Sequence, residues 1–177
     1  MTADISIGAA AVADDRDFVA RVVDLVNRVY AEAEKGLWQD GAERTDAAEV
    51  AAAIRAGELV EARLDGQLVG VARIATLEGN RGEFGMLVAA PEVRGLGIGR
   101  DLVAFAEGWA RRQGFATMQL ELLVPRTWTH PVKEFLHGWY TRIGYRPVRT
   151  EPFDEAYPAL APLLATPCDF VIYHKPL

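Results

Sequence analysis

Residues Leu87 to Gly114 read LVAAPEVRGLGIGRDLVAFAEGWARRQG, and three glycines, Gly95, Gly97 and Gly99, alternate between Arg94 and Arg100. Glu83–Ala89 reads as a strand running into this stretch. Leu102, Val103, Ala106, Trp109 and Ala110 line one face of a helix that starts near Gly97 or Ile98 and stops before Gly114. A glycine-rich turn between a strand and a helix is placed to hold an anion. The first turn of a helix leaves four N–H groups without intrahelical acceptors and carries roughly half a positive charge. Glycines remove the Cβ atoms that would keep a ligand away. Two phosphate motifs do not fit. GxxxxGK[ST] needs a lysine and a hydroxyl residue where Arg100 and Asp101 stand, and GxGxxG needs another spacing within a parallel βαβ unit. On the glycines alone, a turn that merely needs room is an equal reading.

Outward from this stretch the order of elements is legible. Ile5 and Ile7 mark a short strand. Asp14 and Asp15 offer caps to a helix carrying Phe18, Val22, Leu25, Val26 and Val29 and running to about Glu34. A loop, Lys35–Thr45, leads to a second helix over Asp46–Ala56. Val60–Leu64 and Leu68–Ile74 alternate around Asp65–Gly66, a hairpin turn, and a further turn at Gly79–Gly82 precedes the strand that enters the glycine run. After the helix come a strand over Thr117–Val124, a loop over Pro125–Thr129 and a helix opened by Pro131 that stops before Gly144. Strands over Tyr145–Arg149 and Asp169–His174 close the chain. The Pro-rich connection Glu151–Pro167 holds one helical turn near Leu160–Leu164. This pattern predicts a single domain over residues 1–177 of the α/β class with α+β character. Its mixed, mostly antiparallel sheet of about seven strands is flanked by helices.

Composition narrows the function. Half of the 177 residues are hydrophobic and 25% are charged, with a net charge of -6. An acidic chain is a poor partner for a phosphate backbone, so no nucleic acid is expected. Cys168 is the only cysteine, and the three histidines have no ligand spacing, so neither a disulfide nor a metal site is expected. The N-terminal MTADISIGAAAVADDRDF lacks a basic region followed by an apolar run, and no apolar run approaches about 20 residues. No signal peptide and no membrane partner are expected, and a cytoplasmic location follows.

Arg94-Gly95-Leu96-Gly97-Ile98-Gly99 resembles R/Q-x-x-G-x-G/A, the acyl-CoA pyrophosphate loop of the GNAT N-acetyltransferases. WYTRIGYRPV, Trp139–Val148, resembles that family's Y-x-x-x-G-F/Y signature. Both motifs occur in the family's order, and the resemblance covers about Ile5 to Pro176. It implies the GNAT fold with a splayed strand pair, and an acetyl-CoA-dependent acyltransferase acting on a primary amine of a small molecule, a protein N-terminus or a lysine. A homodimer is its expected assembly. The alternatives are a module that binds acyl-CoA without turnover and, more distantly, an unrelated phosphate-binding protein.

The resemblance also implies roles. The main chain of Val93, Arg94, Gly95, Leu96, Gly97, Ile98, Gly99 and Arg100 would hold the pyrophosphate of coenzyme A. The backbone of Leu87, Val88 and Ala89 would pair with pantetheine where the strand splays at a bulge. Tyr140 matches the tyrosine that protonates the departing thiolate; on the residues alone it reads as a core aromatic on the apolar stripe with Leu136 and Ile143. Many family members carry Asn seven residues before the tyrosine. This chain has Lys133, read as solvated or as a contact to cofactor phosphate. For a general base, Glu83 at the start of its strand and Glu121 on the opposite strand both qualify, with His130 as a third candidate. Acceptor contacts are expected from Tyr30, Glu34, Trp38 and Asp40 in YAEAEKGLWQDG, from Trp128 and His130 in VPRTWTH, and from the stretch EPFDEAY at Glu151–Tyr157.

Overall fold

The computed structural model describes residues 1–177. Seven strands form one sheet: β1 (Asp4–Ile7), β2 (Leu59–Leu64), β3 (Gln67–Leu77), β4 (Arg81–Ala89), β5 (Thr117–Pro125), β6 (Arg146–Pro152) and β7 (Cys168–Pro176). Their spatial order is β1-β2-β3-β4-β5-β7-β6. Every pair is antiparallel except β4–β5, which is parallel and limited to Arg81–Glu83 against Thr117–Gln119. Beyond that point the two strands part, which is the splayed pair expected above.

Helices cover both faces. On one side lie α1 (Arg16–Ala33) and α2 (Ala47–Arg55), on the other α3 (Ile98–Arg112) and α4 (Pro131–Arg142), with a short α5 (Phe153–Ala156) beside β7. Asp15 starts α1 by accepting the Phe18 N–H at 3.0 Å, and Asp46 starts α2 by accepting that of Glu49 at 2.8 Å. Phe18, Val22, Leu25 and Val26 then bury against Val50, Ile54, Leu59, Val71, Met86 and Val88. On the opposite face Ile98, Leu102, Val103 and Ala106 pack on Ala72, Ile74, Phe84, Met118 and Leu120. Each such side chain stabilises the fold by roughly 1.5–3 kcal/mol relative to exposure.

β4 changes phase along its length. Gly85 faces Arg73 and Val88 faces Val71, so Met86 and Leu87 together oppose Ala72, and Met86 adopts φ +48°. This extra residue swaps the faces. Before it Phe84 packs toward α3; after it Leu87 and Ala89 do, while Met86 and Val88 face α1.

The main departures from the sequence reading lie at element ends. A 3₁₀ turn over Ala10–Asp14 precedes α1. β3 runs on to Leu77 and β4 starts at Arg81, because Leu77↔Arg81 pairing continues the hairpin almost to the turn. β6 extends to Pro152 and runs straight into α5, where the Pro-rich connection was expected to begin. Prolines are tolerated there because β6 is the sheet's edge strand, with one side needing no ladder hydrogen bonds. The helical turn near Leu160–Leu164 is a 3₁₀ turn at Ala161–Leu163.

Candidate active site

Gly70 brings α3 onto the sheet. A Cβ there would lie 2.8 Å from Ile98 Cγ2 and 2.9 Å from the Val88 carbonyl oxygen, so only glycine lets the first turn of α3 settle over β3 and β4. The glycine run therefore sits at the end of β4. Its first half is a 3₁₀ turn over Pro91–Val93, and Gly97 caps α3 at φ +80° with no side chain taking the cap's place. The N–H groups of Gly95, Gly97, Ile98, Gly99 and Arg100 donate to no main-chain carbonyl. Five free amides at a helix start, two of them on glycines with positive φ, suit a pyrophosphate. The eight-residue expectation needs correcting, because the N–H groups of Val93, Arg94 and Leu96 already donate to Ala90, Pro91 and Val93. Arg94 is exposed. Arg100 lies over Gly97 and pairs with Asp101 at 3.0 Å.

A cavity of about 740 Å³ opens where β4 and β5 part. Its floor includes Arg73, Glu83, Gly85, Leu87 and Glu121. Tyr30, Glu34, Trp38, Asp40 and Arg44 form one wall, Phe153, Tyr157, Leu160 and Leu163 another, and α4 contributes Lys133 and Tyr140. Tyr140 belongs to the core on the α3 side yet reaches the cavity, since the parted strands leave a passage between the faces. It is 6% exposed, and its hydroxyl has no protein hydrogen-bond partner. Burial pushes the phenol well above its ordinary pKa, helped by Tyr30 and Tyr173, so it keeps its proton at neutral pH. Tyr30, also pushed up by burial, carries the Arg44 guanidinium 5.2 Å from its ring centre.

Glu83 and Glu121 both face this cavity. Glu83 accepts from Gln119 Nε2 at 3.0 Å, and Glu121 from the Tyr157 hydroxyl at 3.2 Å. Burial raises both carboxyls above the usual range, and the Glu121 charge raises Glu83 further. Beside Glu121, the Tyr157 phenol is pushed up to about 12, mainly by burial.

Other expected residues take different parts. Lys133 is not solvated: it is 5% exposed and its Nζ lies 2.6 Å from Glu34 Oε1. The other oxygen of Glu34 accepts Trp38 Nε1–H at 2.6 Å. Glu34 and Trp38 thus line the cavity with their polar atoms engaged by each other and by Lys133, while Asp40 lies exposed at its rim. His130 and Trp128 are absent from the cavity wall. His130 caps α4, with Nδ1 accepting the Val132 N–H and Nε2 donating to the Lys35 carbonyl, which leaves neither nitrogen for base chemistry. Trp128 lies tilted against its ring and donates to Thr166 Oγ1. Sequence reasoning passed over Gly70, Arg44, Gln119 and the Lys133–Glu34 pair. Partners 99 residues apart leave no local pattern to read.

The family model described as "Acetyltransferase (GNAT) family" matches residues 23–145. No curated protein matches the chain. Among solved structures, the chain is similar to yncA from Salmonella typhimurium with its cofactor acetyl-CoA, at TM-score 0.67 and 16% identity over 100% of this chain and 95% of that one. It is similar to an aminoglycoside 6'-acetyltransferase type Ii at TM-score 0.66 and 20% identity, covering 98% and 96% of the two chains. A ribosomal-protein-alanine N-acetyltransferase from Brucella melitensis gives 0.64 and 18%, covering 98% and 99%. At these identities the likeness carries the fold, and the family match spans well over half of the sequence. The chain belongs to the GNAT family and is an N-acetyltransferase.

Proposed function

We propose that residues 1–177 act as one catalytic domain that moves an acetyl group from acetyl-CoA to a primary amine by direct attack within a ternary complex. The observation that carries this reading is the Tyr140 hydroxyl, buried, protonated and without a protein partner, in the passage where β4 and β5 part. The five free amides of Gly95 to Arg100 would hold the pyrophosphate, and the unpaired edge of β4 at Leu87–Ala89 would hold the pantetheine arm. Bound there, acetyl-CoA supplies an activated thioester. Glu83 would take a proton from the attacking amine, and Tyr140 would donate one to the thiolate that leaves. Glu83 is preferred to Glu121 because it stands at the fork itself, held from inside the sheet by Gln119. The named acceptors of two similar proteins, an aminoglycoside and a ribosomal protein's alanine, both offer amines, which accords with either a small molecule or a protein terminus.

Tyr140→Phe tests the reading. With acetyl-CoA and a primary-amine panel, kcat should fall about 100-fold while the KM for acetyl-CoA stays within twofold. An unchanged kcat, with chemistry shown to limit turnover, removes the acid role.

A further inference from the structure

Glu83, Gln119 and His174 stand in register on neighbouring strands, and Glu83↔Gln119 is the last parallel pair before β4 and β5 part. Gln119 Nε2 lies 3.0 Å from Glu83 Oε2, and Gln119 Oε1 lies 2.9 Å from His174 Nε2. Gln119 is 4% exposed, so its amide depends on these two partners. With Glu83 ionised, the amide nitrogen must donate to the carboxylate, and the amide oxygen then takes the His174 Nε2–H. A half-turn of the amide satisfies the other state too, though the bond to the charged carboxylate is the stronger of the two. The protonated acid donates to the amide oxygen, and the amide nitrogen donates to Nε2 of the opposite imidazole tautomer. A fixed backbone N–H could favour only the carboxylate.

We propose that Gln119 and His174 are positioning residues that form a reversible clasp, holding Glu83 in both protonation states as it takes and returns the acceptor's proton. The proposal rests on Glu83 being the base. In the step itself an N–H bond of the acceptor breaks, an O–H bond of Glu83 forms and the amide turns over, while the partly exposed imidazole gives its Nε2 proton to solvent and takes one from solvent at Nδ1. The proton passes to solvent before the next cycle, and the clasp turns back. The surroundings suit this. Burial, with Arg81 and Arg149, lowers the His174 pKa, which favours the neutral ring that can hold either tautomer. Glu121 from β5 opposes charge on Glu83, while Arg73 from β3 and Arg81 from β4 favour it; the Tyr157 hydroxyl gives its hydrogen bond to Glu121 and feels the Glu83 charge as well.

The test is ¹⁵N NMR of the histidine-labelled protein across a pH titration, with no acceptor present. As Glu83 takes up its proton, His174 should switch from the Nε2–H to the Nδ1–H tautomer. Glu83→Leu, which carries no group that titrates or hydrogen-bonds, should leave His174 without the switch, and Gln119→Leu should abolish it as well. A His174 that keeps one tautomer throughout, or passes straight to imidazolium, overturns the clasp. The base reading is checked apart from this, by thiol release from acetyl-CoA with phenethylamine, putrescine and an alanine-initiated peptide. Glu83→Gln should lose about 100-fold, and full activity in that variant sinks the base assignment whatever the tautomers do. Gln119→Leu should move the acid limb of kcat/KM upward by about one pH unit, because removing a donor to the carboxylate raises its pKa. Should Gln119→Leu fail to bind acetyl-CoA, Gln119→Met, which keeps the unbranched side chain and loses the amide, carries the same test, and an acid limb identical to wild type overturns the proposal.

Discussion

Lys133, seven residues before Tyr140, is locked to Glu34 away from water. A buried ion pair adds little net stability, but removing one member leaves the other charge uncompensated. Lys133→Met should therefore destabilise the protein by about 3–5 kcal/mol in denaturant melts, and Lys133→Met with Glu34→Leu should recover much of that loss. Recovery that never appears would show that packing rather than charge sets the effect. Glu121 gives a test of opposite sign. Its pKa is raised in the fold, so the native state binds the proton more tightly than the unfolded chain, and its contribution is lost as pH rises through the folded pKa. Glu121→Gln should raise the melting temperature more at pH 8 than at pH 5. Equal shifts at both values would remove the argument.

Among the elements, the glycine run was the most legible part of the candidate site, because spacing, neighbouring strand and following helix all fall within one short stretch. Gly97→Val tests it directly. The position has φ +80°, and a Cβ would lie 2.7 Å from the Arg100 guanidinium, so the substitution strains the cap of α3 and crowds the amides it presents. Acetyl-CoA affinity measured calorimetrically should drop at least about tenfold, or roughly 1.4 kcal/mol, with the far-ultraviolet spectrum retained. Tyr140 was legible only because a second motif placed it, since its spacing on α4 is that of any core aromatic. His130 illustrates the reverse. A histidine ahead of a helix reads as available chemistry, and only the fold shows both nitrogens engaged by the main chain. Nor did alternation reveal the phase change in β4. Both faces of that strand are covered, so Phe84, Met86 and Val88 are all buried on either side of the bulge.

For the whole molecule, the succession of elements and the class followed from the periodic segments, because each hairpin and each strand–helix passage leaves its mark within a few residues. The convergence of Glu83, Gln119 and His174 could not be foreseen in that way. It depends on the register of three strands drawn from separate parts of the chain, and a shift of one residue in any of them would dissolve it. That same register has a mechanical consequence. The sheet is two ladders, β1–β4 and β5–β7–β6, joined by three cross-strand pairs, whereas β5 and β7 share nine. Under strain or mild denaturant the molecule should yield along this seam first. Hydrogen–deuterium exchange would then find the amides of Arg81–Glu83 and their partners on β5 exchanging well before those of the β5–β7 ladder. If the cofactor is seated as proposed, between two parted strands, the weakest join of the sheet lies beside its path, and the seam would serve as the hinge that admits it.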